Sequence, residues 1–200
     1  MKGWLLGCLG ALVVVGLLLF FWGQSTYNGI VALQQDVTAK WGQVQNVYQR
    51  RADLVPNLVA TVKGYATHER EVFEAVTESR SKVGSIRVTQ DMVNNPAEMA
   101  KFQQAQDGLG SALSRLLLVV ENYPELKANQ NFLELQSQLE GTENRITVER
   151  MRFNESAQAY NTRIKQFPAN MLAGFFGFKE KAYFEAAPGS EKAPVVDFTK

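Results

Sequence analysis

The sequence has one cysteine and one histidine, no run of charge of either sign, and no apolar–polar alternation bounded by turn signals. Each shortage removes a class of function. A lone cysteine, Cys8, forms no intramolecular disulfide and no cysteine-based metal site. It sits inside an apolar segment, which also removes a catalytic Cys–His pair. Lys and Arg (21) nearly balance Asp and Glu (20), giving a net charge of +1, and without a basic face nothing favours nucleic acid. The absence of period-two runs leaves strands without a signal.

The single histidine settles a second question. His68-Glu69-Arg70-Glu71-Val72 opens like the zinc-protease motif HExxH, but Val72 stands where the second imidazole is required. His68, Glu71, Glu74 and Glu78 share a side of a helix and offer oxygens to a cation; a solvated acidic face is the commoner use of such a row. There is no GxSxG, and Gly174-Phe175-Phe176-Gly177 lacks the lysine and strand of a phosphate loop. Asn154-Glu155-Ser156 spells a glycosylation sequon in mid-helix and reads as chance. The residues therefore predict no catalytic, cofactor-binding or metal site, and a protein that is not an enzyme.

What is present begins at the N-terminus. Trp4 to Trp22 carries no charged side chain, and as a helix it spans about 28 Å, close to the ~30 Å hydrocarbon core of a bilayer. Tryptophans at both ends suit the two interfaces. A cleaved signal peptide has a shorter apolar core and a small-residue cleavage site, which FFWGQST lacks. Leu5-Leu6-Gly7-Cys8 resembles a lipobox but leaves too short an apolar region before it. Residues 4–22 are thus expected to contact the lipid bilayer as one transmembrane helix. Lys2 precedes the span and the next cation is Lys40, so the positive-inside rule exports the bulk of the chain.

Beyond the span, apolar residues recur at three-and-four spacing. The rows are Tyr27 to Tyr48, Val55 to Val83, Phe102 to Val120 and Phe132 to Phe167. These lengths, joined by short loops, predict an all-α fold: an antiparallel up-and-down four-helix bundle with an N-terminal transmembrane helix. The divisions are 1–23 for the membrane helix, 24–186 for the bundle and 187–200 for a flexible tail. Five of the six prolines fall at boundaries between these rows or beyond them, and the sixth, Pro56, reads two ways. With Asp53 as N-cap it opens a second helix, the preferred arrangement. Yet Trp41, Tyr48, Val55 and Val62 keep one phase across it, which suits a single helix kinked at Pro56. The run from Val83 to Pro96 reads as a connection.

Two polar and aromatic groups stand out. Arg50, Arg51, Asp53, Glu69 and Arg145 form a possible structural cluster, because Glu69 occupies one slot of the apolar row Val55, Val62, Val76, Val83. Either it is buried against an arginine, since an unpaired buried carboxylate is costly, or it turns to the rim. Phe175, Phe176, Phe178, Tyr183 and Phe184 make either a cap over the bundle end or a patch for a partner or the membrane surface.

Three stretches carry a resemblance. They are YNGIVALQQDVTAKWGQVQNVYQRRADLVPNLVATVKGYATHE, NYPELKANQNFLELQSQLEGTENRITVERMRFNESAQAYN, and the Phe-Pro of RIKQFPAN with the following GF and YF pairs. In these the chain is similar to the LemA family over nearly its whole length. The resemblance implies a single-pass bacterial membrane protein with a helical domain and brings no established activity. It also implies a short N-terminus outside the cell, opposite to the charge argument, so both orientations stand at this point. The functional expectation is a binding or scaffold role at the bacterial inner membrane, towards a membrane-associated protein or through self-association. The alternatives are an accessory role in envelope maintenance or membrane proteolysis, and a laterally oligomerising structural protein.

Overall fold

The computed structural model describes residues 2–66 and 68–186, with the backbone alone for residues 2–6 and 8. The expected tail, 187–200, lies outside the described residues. Six α-helices account for most of what is described, and no strand occurs among the described residues.

The longest element is α1, Lys2–Lys63. Its first part carries an apolar stretch long enough to cross a membrane, and the residues from Leu9 to Phe21 are all exposed. Further along, the same helix turns one face inward: Ile30, Val37, Trp41, Val44, Tyr48, Val55, Leu58 and Val62 are buried at helical spacing. No break separates the two parts.

The preferred boundary at Asp53 is therefore corrected. Helix α1 runs through Pro56, and Asp53 lies inside it, exposed, accepting a hydrogen bond from Gln49 Nε2 at 2.8 Å rather than capping a new helix. Two physical facts explain this. The buried row Tyr48, Val55, Val62 would lose its phase at a restart, whereas Pro56 itself faces solvent. A proline has no N–H for the carbonyl four residues back. That carbonyl, Ala52 O, instead accepts from Arg80 Nε at 3.1 Å, so a neighbouring helix supplies the missing donor.

The chain actually turns after Lys63. Tyr65 N and Ala66 N both donate to Val62 O, at 3.1 and 2.9 Å, closing the helix end. The single row expected from Val55 to Val83 is thus divided between α1 and α2, Arg70–Ser85. Helix α2 returns alongside α1, as shown by Lys63 Nζ 5.3 Å from the centre of the Phe73 ring and by Arg80 at Ala52. The expected connection up to Pro96 does more than connect. Its 3-10 turn, Gln90–Asn94, buries Met92 and Val93.

Helix α3, Pro96–Val120, starts where its proline costs nothing, and Asn95 Oδ1 accepts from Ala97 N and Glu98 N. A four-residue helix, α4 (Pro124–Lys127), turns the corner with Leu126 buried. Helix α5, Gln130–Lys165, is capped by Asn129, whose Oδ1 accepts from Phe132 N at 3.0 Å. It packs along α1 in the opposite direction: Glu143 meets Arg51, and Ser156 meets Asp36. Helix α6, Ala169–Phe176, ends at Gly177, whose φ of 72° favours glycine.

The buried residues form two clusters stacked along α1. The one nearer the membrane stretch gathers Trp41, Tyr48, Phe102, Phe153, Tyr160 and Phe184 with their aliphatic neighbours. The distal one is mostly aliphatic, with Val55, Leu58 and Val62 of α1 against Phe73 and Val76 of α2, Leu109 to Val120 of α3, and Phe132 and Leu139 of α5.

Candidate functional site

Between the two clusters lies a layer of polar side chains. Arg51 is buried, and its guanidinium donates to Glu143 on α5 (3.0 and 3.3 Å) and to the main-chain carbonyl of Gln106 on α3 (2.9 Å). It also donates to the Gln106 side-chain oxygen, while its Nε finds no partner. The guanidinium sits 5.1 Å from the Tyr48 ring centre, and burial raises the Tyr48 hydroxyl pKa above its ordinary value despite the opposing field of Arg150 and Arg51. A planar, permanently charged group with five donors in a rigid fork ties three helices at one level with a fixed geometry that a lysine lacks.

Of the five residues expected to cluster, only Arg51 enters this layer. Arg50 and Arg145 are exposed. Glu69 is half-buried at the distal end and accepts from Tyr123 Oη at 3.1 Å, so its partner is a phenol and not an arginine. Burial, then the Glu69 carboxylate, pushes the Tyr123 pKa up. Glu143 and Gln106, which complete the layer, were not singled out in the sequence. Gln106 had a signal: Met99, Gln106, Leu113 and Val120 form one seven-residue row, and the other three are apolar.

A cleft of about 780 Å³ opens beside this layer, where Gln45, Tyr48 and Gln49 of α1 face Arg80 and Ser81 of α2 and Gln106 of α3. It is a groove between helices, and its charged member, Arg80, is already engaged with Ala52.

The membrane-proximal end is closed by the segment after α6. Two asparagines on α5 hold it. Asn161 donates to Lys181 O and accepts from Lys181 N, both at 2.8 Å; Asn154 does the same with Phe184, both at 2.9 Å. Ala182 N adds a bond to Val93 O at 2.7 Å. The side chain of Lys181 is drawn inside as well, donating to Asn94 Oδ1 at 2.6 Å above the Tyr160 ring. Burial lowers the Lys181 pKa against the opposing field of Asp91, and burial raises that of Tyr160, whose hydroxyl has no partner. A smaller cleft of about 500 Å³ lies here, bordered by Tyr27, Gln34, Asp91, Tyr160 and Lys181.

The aromatic group expected near the C-terminus divides. Phe184 is in the core against Trp41 and Phe153, Phe178 is half-buried, and Tyr183 is partly exposed with its hydroxyl accepting from Asn161 Nδ2. Phe175 and Phe176 remain exposed on α6, with Phe176 against Tyr27 at 4.8 Å. Among the described residues no group of three or more His, Cys, Asp or Glu side chains gathers as a metal site would require.

The LemA family model matches residues 40–198 of this chain. The chain is 29% identical over 186 residues to "Magnetosome protein MamQ 1" of Paramagnetospirillum magneticum, covering 85% of this chain and 68% of that protein. The same figures hold for "Magnetosome protein MamQ" of Magnetospirillum gryphiswaldense. "Protein LemA" of Metamycoplasma hominis is 24% identical over 160 residues, covering 80% of this chain and 69% of its own.

Proposed function

This chain belongs to the LemA family, and from that premise we propose that it acts without catalysis of its own, as a membrane-anchored scaffold at the bacterial inner membrane. Its four long helices form an up-and-down bundle whose faces receive another membrane-associated protein. The observation that carries this reading is the unbroken α1: one helix is both the apolar stretch and the central core element. A domain mounted this way is held at a set height above the bilayer, which serves presentation better than turnover. The buried polar side chains fit the same reading, because Arg51, Asn154 and Asn161 join elements of the fold to one another. Relatives named as magnetosome proteins are compatible with a role in organising a membrane-bound assembly.

The exposed apolar residues Leu118 of α3 and Leu133 of α5, on either side of a distal groove, are the surface this scaffold offers. A photocrosslinking amino acid at Leu118 or Leu133 in cells should yield a discrete adduct with another membrane protein. Adducts only with a second copy would replace the scaffold by the laterally oligomerising form, and no adduct at either position would end the proposal. The domain lies outside the cytoplasm in this reading. With Cys8→Ser as background, a cysteine at exposed Ser137 should react with a membrane-impermeant thiol reagent in intact spheroplasts. Reaction only after lysis would put the domain inside.

A further inference from the structure

Helix α6 is built inside out for a cap. Its inward positions, Ala169 and Ala173, are small, while Met171 and Phe175 point outward, 68 and 83% exposed, with Phe176 at 52%; Phe167, in the turn just before the helix, is 81% exposed. A helix serving only to close a soluble domain would bury the large residues and expose the alanines, since burying a Phe or Met gains far more than burying a methyl group. Monomeric soluble proteins rarely leave such contiguous apolar surface uncovered.

The position of α6 identifies what covers it. Phe176 packs on Tyr27, which lies five residues beyond Trp22, or about 7.5 Å farther along α1. The headgroup layer beyond the ~30 Å hydrocarbon core is about 5–8 Å deep on each side. The exposed row therefore sits at the level of the headgroups, next to the apolar surface of α1 itself. Lys165 and Lys179 stand exposed near it; of the local carboxylates, Glu180 is already paired with Lys165 at 2.8 Å, and Asp91 borders the neighbouring cleft together with Lys179. A large apolar row rimmed by cations is the pattern of a helix lying in a membrane interface.

We infer that α6 and the turn before it form a second membrane contact, an interfacial foot whose Phe167, Met171, Phe175 and Phe176 insert into the headgroup region of the bilayer that α1 crosses. The inference rests on the membrane-anchored reading. Two contacts, one crossing and one at the interface, fix the azimuth and tilt of the domain, which a single helix leaves free.

The test uses the full chain with Cys8→Ser, reconstituted in nanodiscs of zwitterionic phospholipid with a minority of anionic phospholipid. A nitroxide is attached singly at Met171→Cys, Phe175→Cys, Leu18→Cys or Ser137→Cys, and its collision with dissolved oxygen and with a water-soluble nickel complex is read. The labels at Met171 and Phe175 are expected to favour oxygen over nickel several-fold more than the label at Ser137, approaching the value at Leu18. A Met171 label as accessible to nickel as the Ser137 label, with Leu18 still in lipid, overturns the foot and leaves the anchor standing. Failure at Leu18 removes the anchor itself. Dipolar coupling between two Met171 labels would show a second copy on this face, and a label shielded from both reagents would show a protein; either outcome also overturns the foot.

Discussion

The two core clusters share α1, α3 and α5 but are built from different residues. The membrane-proximal one is aromatic, with Trp41 packed on Phe102 (5.6 Å), Phe153 (5.5 Å) and Phe184 (6.1 Å), and Tyr48 on Phe102 (5.2 Å). The distal one is mostly valines and leucines, with Phe73 and Phe132 among them. Aromatic pairs favour particular ring orientations, whereas aliphatic cores tolerate repacking at constant volume. The difference teaches where the domain needs shape. The end next to the apolar stretch has to hold α6 and the returning segment in register with α1, and large flat groups locked by Asn154 and Asn161 do that. The distal end only has to fill space beneath its exposed leucines.

That contrast is open to attack, most forcefully at its aromatic centre. Trp41→Ala should cost about 3–5 kcal/mol and detach the Phe184 segment, seen as lost amide protection at Ala182 and Phe184. Leu116→Ala in the distal core also creates a cavity, but should leave that protection in place. Equal loss at Phe184 from both changes would erase the distinction between the two ends.

Next in size is the pin at Asn161. Asn161→Ala leaves the main-chain N–H and C=O of Lys181 unpaired, at about 1–3 kcal/mol for each group that stays buried. The expected outcome is local opening, read as faster exchange of the Lys181 amide with α1 amides at Val55 and Val62 unchanged. Uniform loss throughout the domain would show one cooperative unit in place of two ends.

Arg80→Met tests the repair of Pro56. The Ala52 carbonyl would revert to water or go unpaired, for about 1 kcal/mol, and α2 should loosen from α1. Pairing Arg80→Met with Pro56→Ala should recover the loss, because the helix then supplies its own donor. No recovery would mean that Arg80 serves only the cleft.

The smallest effect is alkaline. Buried Tyr48 and Tyr160 hold their protons above the ordinary value of 10.0, so the native state keeps its full advantage below pH 10 and loses it as pH climbs through the raised values. Lys181 acts in the opposite sense: its lowered pKa relieves a burial cost between that value and 10.5. Tyr123, whose pKa is also raised, acts in the same direction as Tyr48 and Tyr160, so the tyrosines outnumber the lysine, the melting temperature should fall above pH 10, and Tyr48→Phe should flatten the fall. A melting temperature that rises through the same window would show that Lys181 dominates.

Much of this was legible residue by residue. The uncharged stretch to Trp22 and the three-and-four rows announced an apolar N-terminal helix and an all-helical domain, and Pro96 and Pro124 marked real helix starts. The Arg50–Arg51 pair shows the limit. Both carry the same charge, yet only Arg51 falls in the row Val44, Arg51, Leu58 that faces inward, and the missing information was the phase, which the spacing did contain. Asn154 and Asn161 gave no such sign, because their partners are main-chain groups about 20 to 30 residues away.

The sequence by itself determined what each segment is: which stretch suits lipid and which faces are apolar. These are local properties, set by residue type and by the helical repeat. Only the tertiary structure decided that Pro56 is carried inside a helix, that Glu143 and Gln106 receive Arg51, and that the large residues of α6 face outward. Each of those depends on a donor, an acceptor or a vacant surface supplied by a distant part of the chain. Such partners become neighbours only when the helices pack.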